Sequence, residues 1–509
     1  MLSKILSSAI LGIDAYLVEV EVDIARGLPA FSTVGLAEGA VKESKDRVKA
    51  AVKNAGYFFP LDRITVNLAP ADRRKEGSGF DLPIALGILA AAGSMSSDRS
   101  ADYLVTGELS LDARIKRVRG VLPITIEARS RGLKGIIVPR ENAPEAAVVR
   151  GIEVYGAETL SEVVEFMNGR PVLEPAEHRA LESSAGDQPL PLDFNEVKGQ
   201  EQAKRALEIA AAGGHNVIMV GPPGSGKTML AKRIPTILPT LSFEESLECS
   251  KIYSVTGLLP DGGGLVSRRP FRSPHHTISD AGLIGGGVIP KPGEVSLAHH
   301  GVLFLDELPE FKKNVLEVLR QPLEDGVVTI ARASTSLTYP ARFMLVAAMN
   351  PCPCGYLGDP RHACTCPSTA VDRYRSRISG PLLDRIDIQI QVPAVRYQDL
   401  SSDTSGAPSA DIRSRVESTR RMQRDRFTGL PVYCNAQMSS RLLQKCCGLE
   451  PSARSLLETA MERLGLSARG YARILKIART IADMEASERI QAAHLAEAIQ
   501  YRSLDRRSR

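Results

Sequence analysis

Residues 217–228 read VIMVGPPGSGKT. Val217 to Val220 form an apolar run of strand length, and a helical pattern begins beyond Thr228. Between them Gly221, Pro222, Pro223, Gly224, Ser225, Gly226, Lys227 and Thr228 fit G-x-x-x-x-G-K-[ST] in the strand–loop–helix setting this pattern requires. The chemistry follows from the residue types. Glycines let successive backbone N–H groups turn inward around phosphates, and a helix N-terminus adds positive potential. Lys227 is expected to reach the outer phosphates of ATP, and Thr228 to hold Mg²⁺. The plain alternative is a chance glycine-rich turn, and a second stretch argues against it.

That stretch is VLFLDE, Val302 to Glu307. Four apolar residues predict a buried strand, with two acids at its carboxyl end, where open α/β sheets place their chemistry. Asp306 is expected to hold the metal through water, and Glu307 to orient or deprotonate the attacking water, which marks a hydrolase. A solvated acidic turn is the bland reading, weakened by the phosphate loop about 80 residues upstream. A third strand, Phe343 to Ala348, runs to Asn350. There a polar side chain can position the water, or simply begin a turn before Pro351.

The rest of the chain fits around this centre. Its 509 residues exceed one hydrophobic core and predict several domains. Apolar residues at 43% and charged residues at 24% are those of a globular chain. The net charge of +5 permits a nucleic-acid partner without demanding one. The longest apolar run, Leu82 to Gly93, is too short to span a bilayer, so no membrane partner is expected. Asp14 interrupts the early apolar stretch, which argues against a secretory signal and for a cytoplasmic location. The eight cysteines are then thiols or metal ligands before they are disulfides.

Composition divides the chain at two proline- or serine-rich stretches. Residues 1–165 alternate strand-like runs (Ala15–Val22, Ile64–Leu68, Gly135–Val138) with helical ones such as Glu38–Ala55, an α/β unit. Residues 166–192 read as a linker and 193–396 as a second α/β block. Residues 397–411 form another linker, and 412–509 are helical in pattern.

After Asn350 comes PCPCGYLGDPRHACTCP. Cys352, Cys354, Cys364 and Cys366 make two C-x-C pairs, suited to a closed, structural tetrahedral Zn²⁺ site. His362 is a possible replacement ligand, and four reduced uncoordinated thiols are the alternative. The remaining cysteines lack such spacing.

The second block resembles the Mg-chelatase-like AAA+ ATPases, in their ComM/YifB branch. The resemblance rests on FNEVKGQEQAKRALEIAAAGGHNVIMVGPPGSGKT, FRSPHHTISDAGLIGGG, KPGEVSLAHHGVLFLDELPEF, LVAAMNPCPCG and SGPLLDRIDI. It implies an AAA+ P-loop α/β core with a C-terminal helical lid, assembled as a homo-hexameric ring with ATP held between neighbours. It gives Asn350 the water-positioning role. Arg385, in SGPLLDRID, matches the arginine finger of this clade and of MCM helicases. An always-charged planar guanidinium suits charge developing on a γ-phosphate. A salt bridge with Asp384 or Asp387 is the ordinary alternative. SARGYAR, Ser467 to Arg473, resembles the second-sensor helix, with Arg469 first and Arg473 in reserve. Gly282–Val295 and Val327–Arg342 resemble the helix-two insert and the pre-sensor hairpin, which face a central channel in MCM-like rings. Lys291 and Arg332 are candidate DNA phosphate contacts there, or solvated loop charges.

The first block resembles the Lon-protease-like (ribosomal S5-type) α/β domain, also found at the C-terminus of RadA, through KEGSGFDLPIALGIL and GELSLDARIKRVRGVLP. Lon uses a Ser–Lys pair. Alignment puts Gly79 at the serine and Leu122 at the lysine, and Ser78 has no evident base, so the protease chemistry is expected to be missing. Lys42, Lys45, Arg47, Lys49, Lys53, Arg73, Arg74 and Lys75 offer either a basic surface or a solvated helix face. The whole resemblance implies an ATP-driven motor on single-stranded and branched DNA, active in recombination such as integration of incoming DNA during transformation. The competing readings are a Mg-chelatase-type ATPase and a protein-remodelling ATPase.

Overall fold

The computed structural model describes residues 1–36, 39–178, 192–260, 264–287, 290–332, 335–395, 406–464 and 467–502. Residues 179–191 of the first expected linker and 397–405 of the second lie outside the described residues. The chain forms two units. One contains Met1–Ala185 with Phe243–Val266, and the other Gly186–Ser242 with Ser267–Arg509. A segment that belongs by sequence to the second block is thus folded into the first unit.

The first unit is built on a seven-stranded sheet in the order Ala30–Val34, Arg63–Ala69, Asp14–Ala25, Leu2–Leu11, Tyr103–Val105, Gly135–Pro139, Glu153–Ala157. Leu2–Leu11 and Asp14–Ala25 pair antiparallel, and alternation along the latter turns Tyr16, Val18, Val20 and Val22 inward. The apolar run that begins at Leu82 forms the helix Asp81–Ala91, buried along its whole length. It can lie flush on the sheet because Gly87 has no Cβ, which would stand 2.6 Å from Val22 Cγ2. A separate apolar cluster joins the helix Val121–Ser130 to Ile136, Val138 and Val154. Leu247 and Leu265 of the inserted segment pack on that cluster. The Gly120 amide donates to Ser254 O at 3.1 Å, and the Ser254 hydroxyl donates to Glu145. These polar ties explain why helix Phe243–Thr256 belongs here.

The two positions expected to depart from the protease pattern have distinct surroundings. A Cβ at Gly79 would lie 2.9 Å from Thr106 Oγ1, and Leu122 is buried in apolar surroundings. Ser78, which has no evident base in the sequence, donates to the Glu108 carboxylate. The basic surface needs correction as well. Lys75 is fully buried with its amine on Pro70 O, and Arg47 is turned onto buried Asp81 at 2.7 Å. Burial pushes the Asp81 carboxyl up to about 6 against the pull of that guanidinium. Lys45, Lys49, Lys53, Arg73 and Arg74 are exposed, while the Lys42 side chain lies outside the described residues.

The second unit has a five-stranded parallel sheet ordered Phe271–Arg272, Val302–Leu305, Met344–Met349, Val217–Val220, Ile388–Gln391. Three of these strands are buried at every residue, as expected for a parallel sheet covered on both faces. Helices Ser409–Arg426, Ser440–Cys446, Pro451–Leu464, Ala468–Met484 and Ala492–Gln500 form the lid. Its apolar residues Ile474, Ile477, Ala478 and Ile481 belong to the same core as Val217, Met219 and Ile388. No described helix is long and apolar enough to cross a membrane.

The crowding at Gly79 and the apolar setting of Leu122 give a direct test. The double variant Gly79→Ser/Leu122→Lys should hydrolyse no casein. It should also unfold at lower temperature in calorimetry, since a lysine replacing buried Leu122 costs on the order of 3 kcal/mol.

Candidate functional site

Strand Val217–Val220 ends in the glycine loop, and helix Lys227–Ile237 begins at its far side. Gly224 and Gly226 have φ of +74° and +83°, a backbone region that glycine enters without steric cost. Lys227 Nζ donates to Gly221 O at 2.7 Å and Pro222 O at 2.9 Å. It also reaches Asn350 Oδ1 at 3.2 Å. Burial draws its ammonium below the usual lysine value, opposed by the charges of Asp306 and Glu307. Thr228 Oγ1 donates to Asp306 Oδ2 at 2.6 Å. A hydroxyl and a carboxylate this close are the oxygen donors a hard divalent cation takes beside a phosphate, so the residues fit Mg²⁺ with a nucleoside triphosphate.

Glu307 sits in left-handed backbone with φ +53°, and its amide donates to Asp306 Oδ1 at 2.9 Å. Its carboxylate meets His276 Nδ1 at 3.3 Å. His276 was not singled out from sequence. It lies in the irregular stretch SPHHT, and its one informative neighbour is 31 residues away. Gln200 was missed for the same reason. With φ +58°, it turns its amide onto Ser225 O at 2.5 Å and braces the glycine loop from outside. Asn350 follows strand Met344–Met349, so adjacent strands bring Lys227, Thr228, Asp306, Glu307 and Asn350 together.

The arginines occupy different environments. Arg385 is buried and pairs with Glu324, not with either neighbouring aspartate. Its Nη1 donates to Pro381 O at 2.6 Å, and its Nε has no hydrogen-bond partner. Arg469 is 63% exposed, with Asp384 3.9 Å away. The Glu324 carboxyl lies below its usual range because of Arg385 first, with Arg469 and Arg320 contributing, which places Arg469 near the Arg385–Glu324 pair. Arg473 is held by Asp387, at 2.5 Å. Asp387 is fully buried and also meets His215 Nδ1 at 3.2 Å and the Asn216 amide at 3.3 Å. Despite the cost of burial, these partners hold its carboxyl far below the usual range.

Each of the stretches 282–295 and 327–342 contains an antiparallel pair. Gly285–Gly286 pairs with Lys291–Pro292, and Val327–Arg332 with Thr335–Pro340. They touch: Tyr339 Oη donates to Pro290 O at 2.6 Å, and Ile330 packs where a Cβ on Gly285 would fall. Lys291 is exposed. Arg332 forms the last backbone pair before the turn, with its side chain outside the described residues.

The four sulfurs of Cys352, Cys354, Cys364 and Cys366 all lie within 4.8 Å of one another. Three separations are 3.4, 3.7 and 3.6 Å. A tetrahedron with metal–sulfur bonds of ~2.3 Å has edges of roughly 3.8 Å. The Cys354 and Cys366 amides donate to Cys366 Sγ and Cys364 Sγ, each at 3.4 Å. Backbone N–H groups of Tyr356 and Thr365 draw the Cys354 thiol down to about 6. His362 is mostly exposed, stands beside Asp359 and does not join this group of possible ligands.

Comparison with known proteins concerns the chain as a whole. Family profiles described as magnesium chelatase subunit ChlI, subunit ChlI of Mg-chelatase, and its C-terminal part match residues 193–400, 20–142 and 406–502. The chain is similar to the competence protein ComM of Haemophilus influenzae, at 45% identity over 99% of this chain and 98% of that one. A protein of Escherichia coli named YifB is 44% identical over 99% and 98%. The magnesium-chelatase 38 kDa subunit of Rhodobacter capsulatus is 25% identical, over 43% of this chain and 65% of its own.

The contrast between the two lid arginines is measurable. Arg473→Ala should lower stability by about 3 kcal/mol or more by stranding buried Asp387. Arg469→Ala should change it by about 0.5 kcal/mol at most, since its ion pair is long and solvated. Calorimetric melting of both variants checks this.

Proposed function

The chain belongs to the ComM/YifB branch of the Mg-chelatase-like AAA+ family, and we propose that it is a hexameric ATP-driven motor that translocates on DNA and moves branch points in recombination. The observation that carries the ATPase half is the convergence at the sheet's carboxyl edge. Thr228 bonded to Asp306, Glu307 beside it, and Asn350 on the Lys227 amine form a set that can bind, orient and split a triphosphate.

In this mechanism Lys227 leaves the loop carbonyls to meet the outer phosphates. Thr228, and Asp306 through water, would hold Mg²⁺, which would supply positive charge against the triphosphate. Asn350 orients the water, and Glu307 accepts its proton as the oxygen bonds to the γ-phosphorus. The bond to the β–γ bridging oxygen breaks, leaving ADP and phosphate. His276 fixes the Glu307 carboxylate beforehand. A neighbouring protomer supplies Arg385 and Arg469, which lie together about Glu324 and Asp384. Arg385 reaches the γ-phosphate only by exchanging Glu324 for it, and its unpaired Nε offers a donor for that exchange.

Two observations support DNA as the track. The hairpins bearing Lys291 and Arg332 pack against each other, so that in a ring they form one projecting element for phosphate contacts. The near-complete alignment with a protein named for competence supports a role in integrating incoming DNA. The chelatase relative is 25% identical over 43% of this chain, against 45% over 99% for the competence protein, which favours the DNA reading over porphyrin metalation. Zinc in the four-cysteine loop serves a structural purpose in this reading.

Lys227→Ala should abolish ATP turnover. Glu307→Gln should still bind nucleotide while turnover falls about 100-fold or more. Neither Lys227→Ala nor Arg385→Ala should hydrolyse ATP alone, yet mixing the two should restore part of the activity, because some seams then carry both intact halves. With branched DNA the native chain should exchange strands only with ATP. Immobile three-stranded intermediates alongside a remodelled protein client would overturn the DNA reading.

A further inference from the structure

The cysteine loop is attached to the ATP site at three points. Cys352 is buried and stands two residues beyond Asn350. The intervening Pro351 carbonyl accepts from Arg375 Nε at 3.2 Å and Nη2 at 3.1 Å. Arg375 ends helix Ser368–Arg375, which starts two residues after Cys366. In the middle, the Gly355 amide donates to Cys352 O at 3.0 Å. Gly355 lies so close to the glycine loop that a Cβ there would stand 2.6 Å from Pro223 Cδ. No helix or strand lies between Met349 and Ser368. A segment with so little regular structure, rich in glycine and proline, owes its shape to whatever ties its four sulfurs.

We infer that a soft divalent cation of the zinc class, held by Cys352, Cys354, Cys364 and Cys366, sets the position of Asn350 and of the Pro223 lip, so that ATP hydrolysis depends on metal occupancy. This rests on the ATPase reading above and adds a control to it. With the four thiolates tied, the loop presents Asn350 Oδ1 at 3.2 Å from the Lys227 amine and packs Gly355 against Pro223. Without the tie, a segment with no helix or strand of its own loses its shape, and the attachments at Asn350, Pro351 and Gly355 loosen. Asn350 orients water and not the nucleotide base, so the loss falls on turnover more than on affinity. The cysteines are positioning residues, acting through Asn350.

The test uses the full-length chain as purified. Metal content is measured by mass spectrometry. The metal is then released stepwise with an organomercurial, while a chromophoric chelator reports release. ATP turnover and the affinity for a fluorescent ATP analogue are followed in parallel. We expect one zinc per chain and a fall in kcat of about tenfold or more in step with release. Affinity should shift by no more than about threefold. Thiol reductant plus zinc should restore the rate. Cobalt exchange should give the visible bands of tetrahedral thiolate ligation. Cys364→His, which keeps four donors, should retain metal and turnover, whereas Cys364→Ser should lose both. Gly355→Ala provides a variant with every ligand intact: it should keep its zinc yet lose kcat, because its left-handed backbone (φ +88°) and the close approach to Pro223 both resist a Cβ. A metal-free chain that hydrolyses at the native rate would overturn the inference, as would Gly355→Ala with native kcat. A zinc-loaded native chain that never releases phosphate would instead sink the ATPase reading on which the inference stands.

Discussion

A carboxylate removed from water holds the ATPase unit together. Asp387 lies at the entry to the edge strand Ile388–Gln391, and every partner that makes its burial tolerable comes from elsewhere in the chain. His215 and the Asn216 amide arrive from the approach to the phosphate-loop strand, and Arg473 from the lid. Thr480, on the same lid helix, takes the other ring nitrogen of His215 at 2.9 Å. A lone ionised carboxylate in such surroundings is prohibitive, and a fully paired one fixes the geometry of all its partners. The lid is thereby keyed to the sheet by direction as well as by apolar area. That keying also divides labour between the two lid arginines: one is consumed in the bridge, and the other, a turn earlier on the helix, stays in solvent beside Asp384.

What could be read from sequence follows how local each signal is. The glycine loop, the acidic strand end and the paired cysteines declare themselves within about fifteen residues, because their chemistry needs neighbours in the chain. Strands of the second block were legible for a related reason: a covered parallel sheet must be written as apolar runs, as in VIMV and VLFL. The different surroundings of Arg469 and Arg473 were illegible, since Arg473 is held by an acid 86 residues away. The fate of Arg47 and Lys75 was equally hidden. A row of basic residues reads as a surface until the fold shows that one is spent on Asp81 and another is enclosed. His276 carries no pattern at all, and only the fold brings it to Glu307.

Glu307 illustrates how the site stores geometry in the backbone. Its positive φ is uncommon for a residue with a Cβ, and it occurs where the chain leaves a fully buried strand. The amide bond to Asp306 Oδ1 and the histidine contact hold it there. The two acids, adjacent in sequence, are thereby given different duties: one carboxylate turns to Thr228 and the other to His276. Local backbone strain of this kind persists where surrounding contacts compensate it.

The helix Phe243–Thr256 has a separate consequence. Because residues 243–266 fold with the N-terminal unit, the polypeptide passes between the units three times, and neither one is a continuous stretch. Excision at the proline-rich linker would therefore not liberate two intact halves. The amino-terminal fragment would lose the cover that Leu247 and Leu265 give to its apolar cluster. The carboxy-terminal fragment would carry that same helix stripped of its bed. Dissecting this protein requires a graft or a fusion in place of a simple cut.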